Sequence, residues 1–239
     1  MARPPRTSYP GAVHHVTARG VGRVEIFGSD RDYEVFLATL VEAGRLARWS
    51  CLSYCLMPNH FHLLLARVDT AGLSSGMQFL NGTYASRYNT AHERTGHVFQ
   101  GRFHDELVRR DEHLLEAIRY IALNPVRGGL VPRAELWRWS SHRAIAGAHS
   151  RHEWLHEKAV LGLFNADEAV ARRLYAEFVA AGAHTTGRPS LGTLIDDASG
   201  AGVASARDDY SYTQAEIAAH LGVSQPTISR MIRRDRSRE

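Results

Sequence analysis

Hydrophobic positions along the chain change between two periods, which predicts strands that alternate with helices. Residues 12–19 are rich in β-formers and predict a first strand. Asp30 is a helix-capping residue type, and the apolar side chains that follow it keep helical spacing to about residue 47. Residues 49–57 predict a second strand, after which Pro58 and Asn59 form a tight turn into a third strand.

Three more elements complete this pattern: a helix over residues 73–90, a strand over residues 96–109 broken by Gly101, and a helix that begins at Asp111. The last helix should end near Asn124, because a residue before proline avoids the helical region. The order β-α-β-β-α-β-α predicts an α+β fold, with a ferredoxin-like antiparallel sheet and helices on one face. The other face of the sheet would then be free for a ligand.

Two histidines, His60 and His62, lie on the predicted third strand on either side of Phe61. Successive side chains of a strand point to opposite faces, so the two histidines share one face. Imidazole is the commonest protein ligand for divalent metals, and a rigid strand would fix both rings. Because a His-x-His pair also occurs in ordinary strands, a metal site requires other residues that converge on it.

The helix from Asp111 carries a second candidate group, Tyr120, which points about 160° away from the middle of the apolar stripe of that helix. Asn124 follows one turn later on the same face. A phenol is a poor nucleophile and needs help to attack a phosphodiester. A divalent metal held by His60, His62 and the Asn124 carbonyl oxygen could bind a phosphate oxygen and stabilise the transition state. An ordinary surface tyrosine is the alternative.

The C-terminal segment over residues 211–234 predicts a helix-turn-helix. Thr213 and Glu216 form a capping box, Gly222 permits a tight turn, and Ser224 caps a second helix. The residues predicted to point inward are Ile217, Leu221, Val223, Ile228 and Met231. The side chains predicted to face DNA are types that read grooves or contact phosphate: Ser224, Gln225, Thr227, Ser229, Arg230 and Arg233. A generic helical hairpin is the alternative.

Charge and composition indicate which kinds of binding partner the protein can have. The formal net charge is +4 and the sequence pI is about 9.3, and nearly all of the basic excess is arginine, which suits phosphate. Nucleic acid is therefore a permitted partner. A membrane is not expected, because the apolar runs are too short to span one. Cys51 and Cys55 are about 13 Å apart along their strand, too far to bridge, which fits a reducing cytoplasm.

Four stretches of the chain carry the signature of a known family, namely residues 14–20, 57–63, 96–103 and 120–127. With these motifs in this order, the chain resembles the REP-associated tyrosine transposases over about residues 8–145. These proteins are relatives of the single-strand insertion-sequence transposases in the HUH endonuclease superfamily. The resemblance implies a ferredoxin-like core and cleavage of single-stranded DNA near hairpins, which leaves a 5′-phosphotyrosine and a free 3′-hydroxyl.

The resemblance also implies roles for individual residues. Tyr120 would be the nucleophile, and His60, His62 and Asn124 would hold Mg²⁺ or Mn²⁺; imidazole ligands favour Mn²⁺ on physical grounds. The residues expected to contact the DNA backbone or hairpin are Arg19, Arg94, Gln100 and Arg102. A catalytically inactive DNA-binding regulator derived from a transposase is the alternative function. A small-molecule metal hydrolase is disfavoured, because the chain is too short for a barrel.

The predicted domains are a nuclease and transposase domain over residues 1–145, a helical extension and linker over 146–207, and the helix-turn-helix module over 208–239. In the extension, a helix should begin at Asn165 and run to about Ala180. The expected partners are single-stranded and hairpin DNA, and duplex DNA for the C-terminal module; the sequence does not separate a monomer from a homodimer. We expect the protein in the bacterial cytoplasm, associated with the nucleoid.

Overall fold

The computed structural model describes residues 11–67, 72–108, 111–148, 154–183 and 214–236, together with positions 191, 195, 203 and 206. The described residues from 11 to 183 belong to one compact unit, and those from 191 onward belong to a second. None of the described helices is long and apolar enough to cross a bilayer. The domain limits at 145 and 207 stay predictions.

The first unit is organised around a four-stranded antiparallel sheet. Its strands are β1 (Val13–Arg19), β2 (Trp49–Met57), β3 (His60–Arg67) and β4 (His104–Val108), and their order across the sheet is β2-β3-β1-β4. This order and the split-βαβ connections confirm the predicted α+β, ferredoxin-like class. The strand expected over residues 96–109 is shorter, since the segment before His104 contributes only a single bridge between Phe99 and Gly20.

Two helices, α1 (Asp30–Ala47) and α2 (Leu73–Ala91), cover one face of the sheet. The helix cap is Ser29, and not Asp30 as expected, because Ser29 and Asp32 form a reciprocal capping box at the start of α1. The ring of Phe36 in α1 packs 4.8 Å from that of Phe61 in β3. Phe61 therefore points into the main apolar core, as the alternation along β3 predicts.

A third helix, α3 (Asp111–Arg127), lies on the opposite face and occupies part of the surface that was expected to be free. Its Tyr120 contacts His62, the neighbour of Phe61 on β3, so helices cover both faces of the sheet. The expected end of this helix near Asn124 is wrong, because α3 continues through Pro125. Pro125 cannot donate a hydrogen bond to Ile121 O, but the turn that contains it is retained, since Gly128 N donates to Asn124 O at 2.8 Å.

Three further helices follow in the same compact unit: α4 (His142–Ile145), α5 (Glu157–Leu161) and α6 (Glu168–Ala183). The start of α6 was expected at Asn165, but Asp167 accepts the capping hydrogen bond from Val170 N at 2.9 Å. The guanidinium of Arg119 in α3 lies 4.6 Å from the ring centroid of Phe178 in α6. The helical extension thus packs directly on the helix that carries Tyr120.

The described part of the second unit contains α7 (Gln214–Leu221) and α8 (Gln225–Arg236), joined by a three-residue turn. Gly222 has a φ of 64°, a conformation that glycine adopts at little cost. Ile217 and Ile228 are buried as expected, but Val223 is exposed, and Ile232 is buried while Met231 is only half-buried. The predicted capping residue Thr213 lies outside the described residues.

Candidate active site

The histidine pair and the helix tyrosine meet on the α3 side of the sheet. The β1–β3 register pairs His62 with Thr17 and His60 with Arg19, so both histidines sit at the end of the central strand pair. Their ring centroids are 5.0 Å apart, and the ring of Tyr120 lies 5.5 Å from that of His62 in an edge-on arrangement. The sequence-predicted residues therefore converge on one place.

Tyr120 is not the surface residue that its position off the apolar stripe could indicate. Only 5% of Tyr120 and 8% of Asn124 are exposed, since α3 turns its polar face onto the sheet. Asn124 Nδ2 donates to Tyr120 O at 3.5 Å, and the Asn124 side chain also forms a hydrogen bond with His60. Asn124 thus connects the nucleophile candidate to the histidine pair.

The residues present fit a divalent metal. His62 Nε2 is buried and has no hydrogen-bond partner, which is expected of a nitrogen whose lone pair is reserved for an ion. A metal–nitrogen bond is about 2 Å long, so two rings with centroids 5.0 Å apart lie within reach of one ion. Among the described residues no group of three or more His, Cys, Asp or Glu side chains could hold a metal. Two imidazoles and one amide oxygen would leave positions for substrate and water.

Burial keeps the site histidines neutral, as metal ligands must be. Desolvation lowers the pKa of His60 to about 4, and the nearby Arg19 guanidinium acts in the same direction. Desolvation also holds the pKa of His62 well below its usual range. The pKa of His15 falls to about 3, again mainly through burial, with His104 and His113 adding to the effect. All three rings stay uncharged at neutral pH.

These lowered pKa values predict acid destabilisation. Between pH 6.5 and pH 5 the unfolded chain takes up protons at His15, His60 and His62 that the folded chain does not, so stability falls as the pH falls. Each histidine would lower the free energy of unfolding by about 1 kcal/mol per pH unit on average in this interval, since the unfolded imidazole is only half protonated at pH 6.5. Urea unfolding followed by circular dichroism at several pH values measures this effect; an unchanged midpoint between pH 6.5 and pH 5 would contradict it.

Three neighbours of the site were not predicted from the sequence. His15 Nε2 and His62 Nδ1 share a hydrogen bond of 2.9 Å, and His60 Nδ1 is bonded to Asn59 Oδ1 at 2.7 Å. The guanidinium of Arg127 lies 5.1 Å from the centroid of the Tyr120 ring. Arg127 was detectable, because a residue seven positions after Tyr120 lies on the same helix face. His15 was not, because nothing in the sequence gives the β1–β3 pairing.

The predicted DNA-contact residues are dispersed. Arg19 adjoins the histidine pair, and Gln100 N donates to Arg19 O at 2.8 Å. Gln100 and Arg102 are exposed, whereas Arg94 contacts the Tyr88 ring and so belongs to the α1–α2 side. Among the predicted DNA contacts of the second unit, Ser224, Gln225 and Arg230 are exposed, while Thr227 and Ser229 are half-buried. The Arg233 side chain lies outside the described residues.

Comparison with known proteins finds a family that is similar to the part of the chain that contains this site. The family model described as "Transposase IS200 like" matches residues 9–124. Residues 9–124 are therefore similar to the IS200-like transposases. The matched stretch contains β1 to β4, the histidine pair and Tyr120, and it ends at Asn124.

Two similar proteins extend the comparison. A Haemophilus influenzae protein assigned as a REP-associated tyrosine transposase is 25% identical over 114 residues, which cover 43% of this chain and 65% of that relative. The solved structure of a REP-associated tyrosine transposase bound to a REP hairpin matches with a TM-score of 0.52 at 19% identity. That match covers 64% of this chain and 91% of the solved one, and it shows a shared fold. The predicted resemblance is confirmed.

Proposed function

We propose that this protein is a metal-dependent single-stranded DNA endonuclease and strand transferase with Tyr120 as its nucleophile. The observation that carries the proposal is the meeting of Tyr120 with His62 across α3 and β3, with ring centroids 5.5 Å apart. His60 and Asn124 adjoin the same place. A buried phenol beside two neutral imidazoles and an amide is suited to phosphoryl transfer and has no evident role in the apolar core.

In the proposed reaction the Tyr120 oxygen attacks phosphorus and forms a phosphotyrosine with the 5′ side of the break. The bond from phosphorus to the 3′ oxygen breaks, this oxygen takes up a proton, and the phenol loses its own. A metal bound by His60, His62 and Asn124 would supply electrostatic stabilisation of the phosphate charge. The exposed guanidinium of Arg127, held over the Tyr120 ring, is placed to attract the phosphate that approaches the phenol. Transfer follows when a second 3′-hydroxyl attacks the phosphotyrosine.

The proposed substrate is single-stranded DNA next to a hairpin, and the likeness to the hairpin-bound relative supports this choice. Incubation with labelled single-stranded DNA from the flanks of the gene, with Mn²⁺ or Mg²⁺, tests the proposal. A covalent adduct that disappears on protease treatment is the expected result. DNA binding without an adduct or cleavage would indicate the alternative, a DNA-binding regulator.

Arg102 is predicted to bind the DNA backbone from the exposed segment that precedes β4. The Arg102→Gln protein should bind hairpin DNA more weakly, and the slope of log affinity against log salt should decrease by about one unit. Fluorescence anisotropy at several salt concentrations measures both quantities. Arg31→Gln is the matched control, because Arg31 is an exposed arginine paired with Glu34 at the start of α1. An unchanged slope for Arg102→Gln would make Arg102 a surface residue without a DNA contact.

The second unit is proposed to bind duplex DNA, with α8 as the recognition helix. Gln225 and Thr227 lie at the start of α8, where such helices contact bases, and Arg230 is exposed one turn later. Deleting everything after Arg207 should leave cleavage of a short single-stranded oligonucleotide intact and lower affinity for targets that contain duplex. Anisotropy with hairpin and unpaired oligonucleotides measures the difference. Equal duplex affinity for the truncated and full chains would assign the unit to assembly or regulation.

A further inference from the structure

The amide of Asn59 has an orientation that determines which nitrogen of His60 carries the proton. Asn59 Nδ2 donates to the carbonyl oxygen of Arg23 at 3.1 Å, so the oxygen of the amide faces His60. This Oδ1 lies 2.7 Å from His60 Nδ1. An amide oxygen only accepts hydrogen bonds, and therefore His60 Nδ1 must be the donor.

A neutral imidazole carries one proton, so a proton on Nδ1 of His60 leaves the lone pair of Nε2 for the Asn124 amide, which also forms a hydrogen bond with His60, or for a metal. Metals bind the unprotonated nitrogen, and the hydrogen bond made by the other nitrogen sets which one that is. The turn between β2 and β3 therefore also sets the tautomer of His60. Its Asn59 side chain prepares His60 to bind a metal through Nε2.

His62 has the same arrangement with a different partner. Its Nδ1 is 2.9 Å from His15 Nε2, the two rings are nearly parallel at a centroid distance of 5.2 Å, and both side chains are buried. His62 Nε2 has no hydrogen-bond partner and is sealed from solvent. A proton on Nε2 would be a buried donor with nothing to bind, whereas a proton on Nδ1 is shared with His15. With the proton on Nδ1, His62 Nδ1 donates to His15 and the lone pair of His62 Nε2 is available for a metal.

We propose that Asn59 and His15 are positioning residues that hold His60 and His62 in the Nδ1-protonated tautomer and present both Nε2 atoms to one divalent metal. The metal rests on the proposed function, but the tautomers rest only on the hydrogen bonds described. His15 reaches His62 from β1 and Asn59 reaches His60 from the β2–β3 turn, so each ligand is oriented by a different element. Losing such a partner commonly weakens metal affinity by about 10–100-fold.

Matched variants of the full chain test this inference. His15→Leu removes the acceptor for His62, whereas His15→Gln can restore an acceptor at a similar reach. Asn59→Ala removes the acceptor for His60, and Asn59→Asp keeps one. We expect Mn²⁺ affinity, measured by isothermal titration calorimetry, to fall by about 10–100-fold in His15→Leu and Asn59→Ala. It should stay within about threefold of wild type in His15→Gln and Asn59→Asp.

A second measurement reports the tautomers without any metal. Long-range proton–nitrogen NMR of the metal-free protein should show protons on Nδ1 of His60 and His62, assigned by loss of signal in His60→Ala and His62→Ala. A proton on Nε2 of either ring, or full Mn²⁺ affinity in a folded His15→Leu protein, would overturn the inference. If His15→Leu does not fold, Asn59→Ala in the half-buried turn and the wild-type tautomers still decide the inference. Nδ1 protonation without Mn²⁺ binding would reject the metal while the hydrogen-bond assignment holds.

Discussion

The Tyr120→Phe protein is expected to fold, to bind hairpin DNA at wild-type affinity and to form no covalent adduct. The substitution removes a single oxygen and keeps the ring against His62, so the packing of α3 on the sheet should persist. Without the nucleophile oxygen no phosphotyrosine can form, and cleavage should fall by at least about three orders of magnitude. Denaturing gel electrophoresis of labelled DNA after incubation with Mn²⁺ measures adduct and cleavage together.

Two other tyrosines serve as controls for this result. Tyr88 and Tyr84 lie on α2, where their hydroxyl groups donate to the backbone oxygens of Glu25 and Ile26. Burial raises the pKa of Tyr84 far above its usual range, which makes it a still poorer nucleophile. The Tyr88→Phe protein should therefore form the adduct normally. Adduct that persists in Tyr120→Phe and disappears in Tyr88→Phe would transfer the nucleophile role to the other side of the sheet.

The second large effect is expected from the His62→Ala protein, which should lose metal-dependent cleavage. His62 Nε2 is the buried nitrogen without a partner, and removing the ring deletes a ligand and the contact with Tyr120. We expect cleavage to fall by roughly three orders of magnitude, and chelation of wild-type protein with EDTA to have a similar effect. The Asn124→Ala substitution should lower cleavage less, by about tenfold to a hundredfold, because an amide oxygen is a weaker ligand than imidazole.

Controls separate this loss from general damage. His156 is an exposed histidine before α5, and His156→Ala should cleave like wild type. Thermal unfolding of His62→Ala should remain cooperative, and its affinity for unpaired DNA without metal should change little. Cleavage by His62→Ala at wild-type rates, or cleavage of wild-type protein in excess EDTA, would show that His62 holds no catalytic metal.

Several elements were predictable because their signals are local. The helical period after Ser29 and the capping residues set the limits of α1, and the predicted range over 30–47 agrees with the structure. The turn at Pro58 and Asn59 sets the β2–β3 register, which pairs Met57 with His60. The alternation along β3 placed both histidines opposite Phe61. In each case the deciding interactions lie within a few residues of one another.

Other predictions were wrong, and the reasons are also physical. The proline rule predicts a helix end near Asn124, but the helix continues to Arg127, because the loss of one donor at Pro125 is outweighed by the turn that Gly128 N closes on Asn124 O. The apolar type of Val223 predicts burial, yet Val223 lies in the turn after α7 with its side chain exposed, while its backbone N–H donates to Ala218 O at 3.0 Å. The apolar character of a residue is a weak guide to its burial where the geometry of a turn sets the direction of its side chain.

The sequence by itself determined the α+β class, the shared face of His60 and His62, and the spacing of Tyr120 and Asn124 on one helix face. Only the tertiary structure decided that this face of α3 turns onto the sheet and buries Tyr120 beside His62. It also brought His15 to His62 through the pairing of β1 with β3. Local periodicity fixes where a side chain points relative to its own element. The packing of distant elements depends on surfaces that meet only after the whole chain has folded.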